Sequence, residues 1–193
     1  MSNKSLYRLG GISAFLGLGF TLADFLTTGV VSPGEVPMLS KLLNSASALT
    51  IIPLAYALYQ LYRDKASTLS LTALVEAVFA VVLFVVCMLF LNLQPLNLYN
   101  FAFMAVYYLP PLLFGLLGYK QPQAGMPRVL SVIGMIAGVA ALVRFAVLTA
   151  GGGDWANLPD SLMPVAFILY LTATVLALIW LVWTGVLLLH RKE

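Results

Sequence analysis

The chain has 193 residues, of which 62% are hydrophobic and 9% charged. Soluble domains average about 45–50% apolar and about 25% charged residues, so a water-soluble globular fold is excluded and an integral membrane protein remains. Ten lysines and arginines against seven acids give a formal charge of +3; these bases stand singly at the ends of apolar runs and read as membrane anchors, not as a nucleic-acid surface.

Residues 1–8 make a short polar arm with Lys4 and Arg8. The apolar run behind it continues past Thr21-Leu22-Ala23, a poor cleavage site followed at once by Asp24. It therefore predicts an uncleaved first span over 9–31. Small residues, among them Gly10, Gly11, Gly17 and Gly19, allow close helix approach in lipid. Thr21, Asp24 and Thr28 share one helical face and form a polar stripe. After a Pro33-Gly34 turn, a second span is expected over 42–62, with Asn44, Ser45, Ser47 and Thr50 early and Pro53 near the centre. That proline should kink the helix or remove a backbone hydrogen bond.

The third span, 69–91, follows the charged turn Arg63-Asp64-Lys65 and carries Glu76 about 10 Å from its start. It also holds Cys87, the only cysteine, so no disulfide can form within the chain. A fourth span is expected over 98–117. Its Pro110-Pro111 pair, beside Tyr107 and Tyr108, predicts a break or strong kink. The fifth, 129–150, contains a Gly134-x-x-x-Gly138 pattern continued by Ala141, and then Arg144 inside an apolar stretch. The loop after it carries Asp154, Trp155, Asn157 and Asp160. The sixth, 161–189, has Pro164 in its first turn.

The expected fold is all-α: one domain, 1–193, built as a single bundle of six transmembrane helices. Eight of the ten bases (Lys4, Arg8, Arg63, Lys65, Lys120, Arg128, Arg191 and Lys192) fall on the side of the termini. The positive-inside rule places both termini in the cytoplasm.

Charge inside a span is costly, about 2.5–3.5 kcal/mol for an arginine at mid-membrane, and calls for a partner. Asp24 follows Arg8 by sixteen residues, and Arg144 follows Arg128 by the same interval (24−8 and 144−128). Spans one and five run in the same direction, so the two charges share a depth, and an Asp24–Arg144 ion pair is expected in the outer half. It serves either as a packing clamp or as a gate or anchor for a charged substrate; otherwise the two charges face a wet outer vestibule separately. Glu76, in the inner half, either meets a base that snorkels down to it or takes part in proton coupling. Thr21, Thr28, Asn44, Ser47, Thr50, Tyr107 and Tyr108 are candidates for lining an outward-facing polar cavity.

His190 is the only histidine and no lysine sits mid-span, so no haem, metal or retinal site is expected. Phosphate-loop, Rossmann, G-x-S-x-G and H-E-x-x-H patterns are absent. No cofactor is expected, and no nucleophile and base stand together for an enzyme acting on lipid.

The opening Arg8-Leu9-Gly10-Gly11, the loop Ser32-Pro33-Gly34-Glu35, and the stretch Ala57-Leu58-Tyr59-Gln60-Leu61-Tyr62 before a basic turn resemble a widespread set of bacterial six-helix membrane proteins, a domain of unknown function. The resemblance covers mainly the first half. It implies six helices and a prokaryotic inner membrane, and carries no activity. The functional expectation is a non-enzymatic membrane protein that binds a lipid or small amphiphile, or acts as an accessory subunit. Its partners would be membrane lipid, a second copy or a membrane complex, and not nucleic acid. The alternative is a small-solute or ion transporter using Asp24, Arg144 and Glu76.

Overall fold

The computed structural model describes residues 3–28, 37–91, 96–122, 125–153 and 157–191. Among them, seven helices make six crossings. These are α1 (Asn3–Thr28), α2 (Met38–Leu49) and α3 (Ile51–Tyr62) sharing one crossing, α4 (Ser67–Leu89), α5 (Leu96–Lys120), α6 (Arg128–Ala150) and α7 (Met163–His190). Each crossing has 23 residues or more, enough at about 1.5 Å per residue to span a hydrocarbon core of about 30 Å. All six expected spans are present. The expected Pro33-Gly34 turn, Glu35, Asn92, Gln94, Asp154, Trp155 and Lys192 lie outside the described residues.

The prolines act differently in the two places where breaks are expected. In the second crossing the helix is interrupted at Thr50, between α2 and α3. Pro53 has no N–H to offer the carbonyl four residues back, at Leu49, so the interruption falls one residue past that carbonyl. The Thr50 hydroxyl turns back to donate to the Ser47 carbonyl at 2.6 Å. In the fourth crossing the expected break does not occur: α5 runs unbroken through Pro110 and Pro111. The carbonyls that lose their amide partners there belong to Val106 and Tyr107. Such prolines are tolerated in a membrane helix because neighbouring helices shelter the released groups.

The crossings form a closed ring. α1 packs on α2 and α3, α3 on α4, α4 on α5, α5 on α6, α6 on α7, and α7 returns to α1. The closure is made by glycine: a Cβ on Gly11 would stand 2.9 Å from the Gly185 carbonyl oxygen, and one on Gly185 only 3.1 Å from Ala14 Cβ. The expected small-residue face of span five is used against α5. There Gly134 meets the Pro111 carbonyl and Gly138 the Tyr108 carbonyl. In lipid, where hydrophobicity gives helices no preference for one another, this backbone-close contact provides the packing energy. Large apolar side chains cover the outside, with Phe25 and Leu26 each 72% exposed and Phe90 77%. Such a surface is tolerable only in contact with lipid. The chain is a multi-pass membrane protein.

A candidate ligand cavity inside the ring

α5 leans into the ring far enough to touch α3 and α7. Around it lies a cavity of about 160 Å³ walled by α1, α2, α3, α5 and α7. Its polar wall comes from the expected residues. Six of the seven candidates for cavity lining, Thr21, Asn44, Ser47, Thr50, Tyr107 and Tyr108, do line it. Thr28 is at the end of α1, and its side chain is outside the described ones.

These side chains form small hydrogen-bonded groups. Thr21 Oγ1 and Ser47 Oγ are 3.0 Å apart, and Ser47 donates to the Gly17 carbonyl at 3.1 Å. Asn44 Nδ2 donates to Asp24 Oδ2 at 2.8 Å, and the Tyr107 hydroxyl makes a long 3.4 Å bond to the Asn44 carbonyl. On the opposite wall, the Tyr108 hydroxyl pairs with Thr174 Oγ1 at 3.0 Å. Asn44 and Ser47 sit just before the helix interruption at Thr50. α2 ends at Leu49, and its Asn44–Ser47 turn packs against α1.

The remaining wall was not anticipated from the sequence. Leu54, Ala55, Leu58, Val106, Phe114, Trp180 and Leu181 make it apolar. The cavity is therefore mainly apolar with a polar patch, where an outward-facing polar cavity was expected. No Asp, Glu, Lys or Arg is among its described lining residues.

The three intramembrane charges stand apart from it and from each other. Asp24 lies behind the polar patch, on Asn44. No ion pair joins Asp24 to Arg144 among the described residues; an exposed Arg63–Asp64 contact of 3.5 Å is present instead. The expected pair fails for a geometric reason. Equal depth does not make helices neighbours, and α6 packs on α5 and α7 rather than on α1. Arg144 sits with its guanidinium carbon 4.9 Å from the centroid of the Tyr170 ring, a cation–π arrangement. It lines a separate recess of about 480 Å³ with Tyr99, Asn100, Phe103, Phe167 and Tyr170. Phe103 and Tyr170 belong to both linings and divide the recess from the cavity.

Glu76 lines neither space. Both of its carboxyl oxygens are shielded, without a hydrogen-bond partner among the described residues. The expected inner ion pair with a snorkelling base is not formed among them. An unsatisfied buried polar group costs about 1–3 kcal/mol. Glu76→Met, close in volume and without the carboxyl, is therefore expected to raise stability by about 1–3 kcal/mol. Thermal unfolding in detergent reads this; a less stable variant would mean that the carboxyl has a favourable partner.

Comparison with known proteins finds no match: no family model, no curated protein and no solved structure matches the chain.

Proposed function

We propose that the chain is a non-enzymatic membrane protein that binds a small uncharged amphiphile in the cavity inside its ring. The observation that carries this reading is the lining: an apolar wall, one patch of hydroxyl and amide groups, and no ionised side chain among the described residues. A dry apolar cavity of about 150 Å³ accepts a molecule such as benzene, and this one, at about 160 Å³, is of that size. The ligand class is therefore a single-ring or short-chain compound with one hydroxyl or carbonyl. Its body would lie among Leu54, Ala55, Phe114 and Leu181, and its polar group would reach Ser47 and Tyr107.

The transport alternative draws some support from the cavity's place within the span and from the Arg144 recess next to it. Against it, Asp24, Arg144 and Glu76 are all absent from the cavity's described lining. We infer a prokaryotic inner membrane from the resemblance, and cytoplasmic termini from the eight bases on that side.

Trp180 supplies the test, because it is 1% exposed and lines the cavity. With Trp155→Phe and Trp183→Phe it is the sole tryptophan. In liposomes, 4-bromophenol is expected to quench it saturably. Ser47→Ala with Tyr107→Phe should weaken 4-bromophenol about 5–30-fold, the loss of two hydrogen bonds at about 0.5–1 kcal/mol each. Bromobenzene, which has no hydroxyl, should be affected less than about twofold. Quenching that rises linearly without saturating would reduce the interaction to partitioning and refute the site.

A further inference from the structure

The outside of the ring carries an apolar groove lined by Leu18 of α1 and by Leu178, Ile179, Val182, Trp183 and Val186 of α7. Leu18 and Leu178 also line the central cavity, and they are the only two described residues common to both. They are thus the wall between the cavity and the lipid-facing surface. Leu18 is half-buried and Leu178 is 37% exposed.

The geometry of α1 and α7 accounts for so thin a wall. The helices are in backbone contact at Gly11 and Gly185. Leu18 lies seven residues from that contact on α1 and Leu178 seven on α7, both toward the side away from the chain ends (18−11 and 185−178). That is two turns, or about 10 Å along each helix. Helices that cross at an angle separate with distance from the crossing, so the gap opens here and two leucine side chains close it. A partly exposed side chain changes rotamer in picoseconds to nanoseconds, without any movement of the backbone.

We propose that the cavity is loaded sideways from the bilayer, through the gap between α1 and α7 that Leu18 and Leu178 close, and that its ligand is a neutral molecule dissolved in the hydrocarbon. The proposal rests on the binding reading above and adds the route and the source. A molecule arriving from water would come instead through the Arg144 recess, past Phe103 and Tyr170. The apolar groove fits an uncharged solute of the membrane interior, as does the uncharged described lining of the cavity.

The test uses the full-length protein in liposomes with Trp180 as sole tryptophan and Cys87→Ala. Leu18→Cys and Leu178→Cys are bridged by a short bis-methanethiosulfonate, which dithiothreitol cleaves, and 4-bromophenol quenching of Trp180 is followed by stopped flow. Bridging should slow quenching at least tenfold, and dithiothreitol should restore it. A second variant guards against a poorly formed bridge: Leu18→Ala with Leu178→Ala should speed quenching at least fivefold. Equal rates in the bridged, reduced and alanine forms, with saturable quenching intact, overturn the lateral route alone. Absence of saturable quenching in the unbridged parent overturns the binding reading and the route together.

Discussion

Gly134→Leu is expected to destabilise the bundle by about 3 kcal/mol or more, the upper end of what overpacking a tight interface costs. A Cβ at this position would stand 2.5 Å from the Pro111 carbonyl oxygen and within 2.8 Å of two atoms of the Trp180 ring. Neither neighbour can give way cheaply. The carbonyl is backbone inside a continuous helix, and the indole is fully buried between the cavity and α6. Three helices meet there, so a leucine would push α6 away from both α5 and α7. Unfolding in dodecylmaltoside, followed by circular dichroism and size exclusion, checks the result. Gly19→Leu serves as the control: nothing lies within 4 Å of its Cβ position, and a surface change of that kind stays within about 0.5 kcal/mol. If the two variants unfold alike, tight α5–α6 packing is not what holds the ring.

Much of this architecture can be read from the sequence, because length and hydropathy determine where a helix crosses and a polar side chain inside lipid has to be satisfied. Thr21 and Asp24 on one face of the first crossing meet Ser47 and Asn44 at similar depth on the second, pair by pair. The limit of this reasoning is that depth is one coordinate and position around the ring is another. Asp24 and Arg144 match in depth, but α7 stands between their helices in the ring, and the nearby groups they use carry no charge signal: Asn44 for one, the face of Tyr170 for the other. Pro110-Pro111 misleads in a related way. In water a double proline ends a helix, whereas inside a bundle the surrounding helices keep α5 helical through it. The apolar wall of the cavity leaves no trace in the sequence, because Leu54, Ala55 and Leu181 are what any crossing would contain. What turns them into a wall is the lean of α5 and the closure of α7 onto α1.

Ala55→Leu is expected to remove ligand binding while leaving the fold in place, and that combination separates a true cavity from loosely packed core. Ala55 is 1% exposed and lines the cavity from α3, so added carbons have only that space to enter. In an interior packed at ordinary density the same substitution would cost about 1–3 kcal/mol of strain. Against a cavity of about 160 Å³ it instead gains dispersion contacts that the lining lacks. Stability should stay within about 1 kcal/mol of the parent or rise. The same side chain takes the place of the ligand's ring, so 4-bromophenol affinity should fall at least tenfold, a loss of about 1.4 kcal/mol or more. The two measurements, unfolding and Trp180 quenching, read the prediction independently. A destabilised variant would show that the space is too narrow for three carbons, and a stable variant that still quenches with full affinity would place the ligand elsewhere. Selection for stability alone favours filling such a space. On the proposed reading, the alanine at 55, the two prolines on the facing helix and the polar patch leave that space to the ligand.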